Sequence, residues 1–184
     1  NNDQLSGSIT KEYEIERLSD YYYDNAQVLG KTASKIYNEI ERKEKNRFID
    51  ILAKYDTEKF NEPEQYISII KDFGDAFCFN YNIDTEGNSL LTKFFDVIPT
   101  NNNLEEYEKV IDILKNTKNI NYNQRDSFGI TVLEKILNQE NSDALDIVSD
   151  FDFVATNEID DVYNNIANPI FKLKAKNLNI IRGK

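Results

Sequence analysis

Histidine, tryptophan and methionine are absent from the 184-residue chain, and cysteine occurs once. Without histidine there can be no Ser-His or Cys-His nucleophile pair and no histidine-containing zinc site. A single cysteine, Cys78, excludes an internal disulfide and any thiolate cluster. Its neighbours Phe77 and Phe79, with no basic residue beside it, mark a buried and unreactive thiol. One unpaired cysteine suits a reducing cytosol and equally an exported protein that needs no bridge, so the compartment stays open. Glycine (6) and proline (3) are scarce, which disfavours a barrel or sandwich built on many tight turns. No glycine-rich phosphate loop of the Walker or Rossmann type is present. No apolar run approaches the ~20 residues of a membrane span. No Asn-x-Ser/Thr acceptor occurs among the many asparagines, which weighs against eukaryotic secretion. The chain opens at Asn1 without a signal peptide, which points to a start inside a longer gene product or after a removed leader.

What remains is a globular composition, 40% hydrophobic and 30% charged. The formal net charge is −11, so a phosphate backbone is repelled and nucleic acid is not an expected partner. The charge is uneven. Residues 162–184 contain no acid and five basic side chains, Lys172, Lys174, Lys176, Arg182 and Lys184, which leaves −16 on the remainder. This basic segment is a solvated helix face or docks on an acidic surface, its own or a partner's.

The chain divides into three stretches. Residues 1–12 read as a flexible N-terminal extension. Residues 13–60 read as an N-terminal helical region packing on the C-terminal two-thirds of the chain. Within it Tyr22, Ala26, Leu29, Ala33, Ile36 and Ile40 recur at three and four, which sets them on one core-facing helix stripe. Gly30 marks a kink or break.

Residues 61–184 read as helical repeats with a degenerate C-terminal cap. Four pentads share one pattern: Phe48-Ile49-Asp50-Ile51-Leu52, Tyr66-Ile67-Ser68-Ile69-Ile70, Val110-Ile111-Asp112-Ile113-Leu114 and Ala144-Leu145-Asp146-Ile147-Val148. Two apolar residues, one polar and two apolar give a helix a wide buried stripe with one wet position. Short helices with the same stripe stack on one another. Between them, Asp84-Thr85-Glu86-Gly87-Asn88-Ser89-Leu90-Leu91 aligns without gaps on Asp126-Ser127-Phe128-Gly129-Ile130-Thr131-Val132-Leu133. The Asp accepts backbone hydrogen bonds in a tight turn, Gly supplies positive φ, and Ser89 or Thr131 caps the next helix.

This order of turn, helix, short loop, helix and Asn-rich link resembles the ankyrin repeat, most closely over residues 107–150 and more loosely over residues 61–153. Two departures stand out. The family's Thr-Pro-Leu-His tetrad reads Ser89-Leu90-Leu91-Thr92 and Thr131-Val132-Leu133-Glu134, without proline or histidine. Gly87 and Gly129 lie 42 residues apart, against about 33 in the family, with the excess expected around Pro99-Thr100-Asn101-Asn102-Asn103. Another helical solenoid or bundle would carry the same stripes. The resemblance implies an all-α fold: a short helical solenoid of ankyrin-like helix-turn-helix repeats with an N-terminal helical cap.

It also implies a function. Ankyrin-like proteins bind other proteins through turn tips and inner helices. Here the tips are Thr85, Glu86 and Asn88 in one copy and Ser127, Phe128 and Ile130 in the other. Family tips are usually polar, so Phe128 and Ile130 stand out: either they form an exposed anchor pair, or Phe128 folds onto the neighbouring turn and Ile130 packs under it, with Arg125, Glu134 and Lys135 as the polar rim. The candidate partner-binding residues are therefore Glu86, Asn88, Arg125, Phe128, Ile130 and Glu134. The alternating run Asn80, Asn82, Asp84, Glu86 and Asn88 has calcium-ligand residues, but Gly87 sits at the eighth place and Leu91 stands where a bidentate Glu belongs. No metal, no cofactor and no catalytic residue is expected. An alternative is an acidic scaffold or immunity-type inhibitor that meets a basic partner through its N-terminal helices. An enzyme with a carboxylate pair is the least supported alternative.

Overall fold

The computed structural model describes residues 31–98 and 105–181. Those residues are all-helical: eight α-helices, two short 3-10 helices, and no strand beyond two isolated bridges. The helices are α1 (Lys31–Leu52), α2 (Pro63–Phe73), α3 (Leu90–Val97), α4 (Glu105–Lys115), α5 (Val132–Asn138), α6 (Ser142–Val148), α7 (Asn157–Asn164) and α8 (Pro169–Ala175). The 3-10 helices are Thr57–Lys59 and Ala76–Asn80. Among the described residues no helix is long and apolar enough to cross a membrane.

All four pentads lie on helices, α1, α2, α4 and α6. In each, the central polar residue (Asp50, Ser68, Asp112 or Asp146) faces water, and the first and last members turn inward or sit half-buried. That is the stripe expected when apolar residues at a period of 3.6 meet a neighbouring helix, except in the first pentad, where Ile49 is also exposed, at 56%. α2 packs on α1 and α4, and α5 packs on α6 and α7. One continuous core therefore runs from Phe48 to Ile181.

An aromatic node packs beside α2 and α3. Tyr66 is fully buried, with ring centroids 4.1 Å from Phe60 and 5.0 Å from Phe94, and its hydroxyl donates to the Phe60 carbonyl at 2.9 Å. A buried tyrosine needs such an acceptor, because an unpaired hydroxyl would offset the gain from burial. Cys78 lies in the same core, fully buried, where burial first and Asp75 second push its thiol well above the ordinary range. Further along, Tyr122 stacks flat on Phe151 at 4.0 Å and donates to the Leu114 carbonyl at 2.9 Å.

The stripe expected along the N-terminal helix is narrower in its described part. Ala33 is buried and Ile40 half-buried, while Ile36 is 39% exposed. The inward line runs through Ala33, Tyr37, Ile40, Glu44 and Phe48, and Ile36 stands at its edge. Tyr22, Ala26, Leu29 and Gly30 lie outside the described residues, as do Pro99 to Asn103. In the basic C-terminal segment, Lys174 reaches the Asp146 carboxylate at 2.6 Å and Lys172 donates to the Asn164 carbonyl at 3.2 Å. Lys174 is thus tied to the body of the chain by an ion pair, while Lys172 bonds within the segment itself.

Candidate functional site

The two Asp-x-x-Gly turns fold alike. Asp84 Oδ1 accepts the N–H groups of Glu86 and Asn88 at 2.9 and 3.1 Å. Asp126 Oδ1 accepts those of Phe128 and Ile130 at 2.9 and 3.0 Å. Gly87 and Gly129 take φ of 101° and 76°, the left-handed region a side chain resists. Each turn then closes on a helix start. Ser89 and Thr92 exchange hydrogen bonds in a capping box ahead of α3, and Thr131 and Glu134 do the same ahead of α5. The shared sequence pattern is therefore a shared geometry, and it leaves each turn tip standing clear of the next helix.

The tips are neighbours. The backbone N–H of Ser127 donates to Asn88 Oδ1 at 2.9 Å, although the residues are 39 apart in sequence. The bases of the turns are tied as well. Asn80 Oδ1 accepts from Asn121 N at 2.8 Å and from Gln124 Nε2 at 3.2 Å, and Asn80 Nδ2 donates to the Asn119 carbonyl at 2.8 Å. Asn123 repeats the arrangement one step on, accepting from Val154 N at 2.8 Å and donating to the Asp152 carbonyl at 3.3 Å. Asn80 and Asp84, members of the apparent calcium-ligand run, thus spend their oxygens on turns and links. Among the described residues no group of three or more acidic, cysteine or histidine side chains is placed to hold a metal.

The candidate residues divide by exposure. Phe128 is 83% exposed at the tip of the second turn, with no layer folded over it. Glu86 is exposed, and Asn88 and Ile130 are half-buried. Arg125 is exposed, yet its guanidinium bends inward, donating to the Gly129 carbonyl at 2.7 Å and lying 3.7 Å from Glu134. Glu134 corrects the expected rim: it is only 5% exposed, and its carboxylate completes the capping box with Thr131 while facing Arg125. It supports the turn from within. Lys135, the other rim cation, is half-buried and pairs with Asp96 of α3.

The first turn also borders a groove of about 400 Å³. Its walls include Thr57 and Glu58 from the 3-10 helix, Thr85 and Glu86 from the tip, and Lys93 and Asp96 from α3. Thr57, Glu58, Lys93 and Asp96 are additions to the sequence-derived set. Lys93 and Asp96 could have been found as the wet i, i+3 pair on a helix whose other face carries Leu90, Leu91 and Phe94. No local signal marks Thr57 or Glu58, which reach the groove only through the tertiary fold.

No protein-family model, curated protein or solved structure matches the chain.

Proposed function

We propose that the chain is a non-catalytic protein-interaction module of degenerate ankyrin-like repeats, which binds a partner through its turn tips and inner helices. One observation carries this: two Asp-x-x-Gly turns of the same hydrogen-bonded form are joined side by side through Asn88 and Ser127, with Phe128 left exposed. A large ring held in water on a rigid turn is the kind of side chain that anchors interfaces, because its burial releases apolar area at little entropic cost. The groove beside the first turn supplies polar surface within the same reach.

The alternative, an acidic scaffold meeting a basic partner through the first helix, draws less support. On α1, Glu39, Glu41 and Glu44 already face Arg42, Lys45 and Arg47 at three- and four-residue spacing, so much of that charge is met internally.

The test is a pull-down from the source cell with the wild-type chain and with Phe128→Ala plus Ile130→Ala. A specific partner held by the wild type and lost by the double variant supports the proposal. Equal capture by both removes the tips from any role in binding.

A further inference from the structure

Glu86 and Phe128 occupy the same position in the two aligned turns, Asp84-Thr85-Glu86-Gly87 and Asp126-Ser127-Phe128-Gly129. The Asn88–Ser127 hydrogen bond sets those turns side by side. One tip therefore offers a carboxylate and the next offers a ring. Equivalent points on adjacent helical layers are separated by about 8–10 Å, the ordinary interaxial distance.

The groove beside the first tip has a charge to match. Four of its lining residues are acidic, Glu58, Asp84, Glu86 and Asp96, against the one cation Lys93 among its described lining. Two of these carboxylates are engaged: Asp84 holds its own turn and Asp96 pairs with Lys135. Glu58, from the 3-10 helix, and Glu86, from the tip, are both exposed and both line the groove. An ammonium or guanidinium between them would gain from both. Half-buried Ile83 gives that part of the groove an apolar patch for the stem of a long basic side chain.

We propose that this surface takes an extended peptide segment of a partner carrying a lysine or arginine between Glu58 and Glu86 and a large apolar residue on Phe128. The spacing follows from the ordinary separation of packed helices. At about 3.3 Å per residue, one layer is about three residues of extended chain, so the basic and apolar residues stand three positions apart. This deepens the interaction reading above and rests on it.

A phage-displayed library of random twelve-residue peptides, selected on the full chain, tests the proposal. Enriched peptides are expected to share a basic residue and a large apolar residue three positions apart. A fluorescein-labelled synthetic copy of an enriched peptide should bind more weakly as salt rises, and about fivefold or more weakly to Glu58→Gln plus Glu86→Gln, since two exposed charge contacts are lost. Phe128→Ala should weaken the same peptide independently. Both variants alter exposed side chains, and unchanged far-ultraviolet circular dichroism confirms that they fold. Peptides without a basic excess, no enrichment at all, or binding indifferent to the Gln pair overturns the proposal. If such peptides still lose affinity with Phe128→Ala, only the ligand chemistry is wrong and the interaction reading stands. If neither variant changes their binding, the interaction reading falls with it.

Discussion

Asn88 and Ser127 are joined by a hydrogen bond of 2.9 Å across 39 residues of sequence. Asn88 also donates through Nδ2 to Asp84 Oδ2 at 2.7 Å, so one amide closes its own turn and fastens the next. The equivalent position in the second turn is Ile130, which has no such group to offer a further layer. Among the described residues this side-chain link joins the two tips that carry Glu86 and Phe128.

Asn88→Ala should loosen the second tip without unfolding the chain. Each lost hydrogen bond is worth about 0.5–1.5 kcal/mol, so about 1–3 kcal/mol is expected from urea denaturation. Amide exchange localises the effect. The Ser127 N–H should exchange faster, while the Phe128 N–H, held by Asp126, should keep its protection.

The turn glycines separate strain from crowding. A Cβ on Gly87 or Gly129 would meet nothing within 4 Å, so alanine there costs only backbone energy, about 1–2 kcal/mol. Asparagine, which visits the left-handed helical region near +57°, should be accepted better at Gly129 (φ 76°) than at Gly87 (φ 101°). Equal tolerance of asparagine at both sites, read from urea midpoints, would show that the two turns relax to one shape.

Asp84 makes stability depend on pH. Its partial burial works against the charge, but hydrogen bonds from the Asn88 side chain and from the N–H groups of Asn88, Glu86 and Gly87 outweigh it and hold the carboxyl below the usual range. A carboxyl lowered on folding contributes in full above its unfolded value of about 3.9, and the contribution fades as pH falls through the lower folded value. The stability gap between wild type and Asp84→Ala should therefore be constant from about pH 7 to about pH 5 and narrow below about pH 4. A gap that widens in acid would mean that Asp84 is not held as an anion by its turn.

The helices are legible in the sequence because their signal is local. Asp112 and Asp146 each interrupt an apolar pentad once, and each faces solvent on a helix. The turns are legible for the same reason: Asp84, Gly87 and Ser89 act within six residues of one another. Contacts between layers are not. Nothing near Asn80 announces that it holds Asn119, Asn121 and Gln124, and nothing near Glu58 places it in the groove that Glu86 also lines. Glu134 shows the opposite failure. Its charge suggests a surface residue, but its place three residues after Thr131 makes it a capping partner, and the helix start draws it inward.

On the proposal that Phe128 anchors a partner, its effect on stability must differ from its effect on binding. The ring is 83% exposed, so Phe128→Ala removes almost no buried area and should change stability by no more than about 0.5 kcal/mol. Phe94, fully buried against Tyr66, is the contrast: its alanine variant leaves a cavity and should cost about 3–5 kcal/mol. Thermal melts of the two variants beside the wild type make the comparison. A midpoint for Phe128→Ala within about 2 °C of wild type, with a large drop for Phe94→Ala, leaves loss of partner binding as a surface effect. A comparable drop in both would place the Phe128 ring inside the fold in solution and remove it as an anchor, since a ring already packed has no apolar area left to bury on a partner.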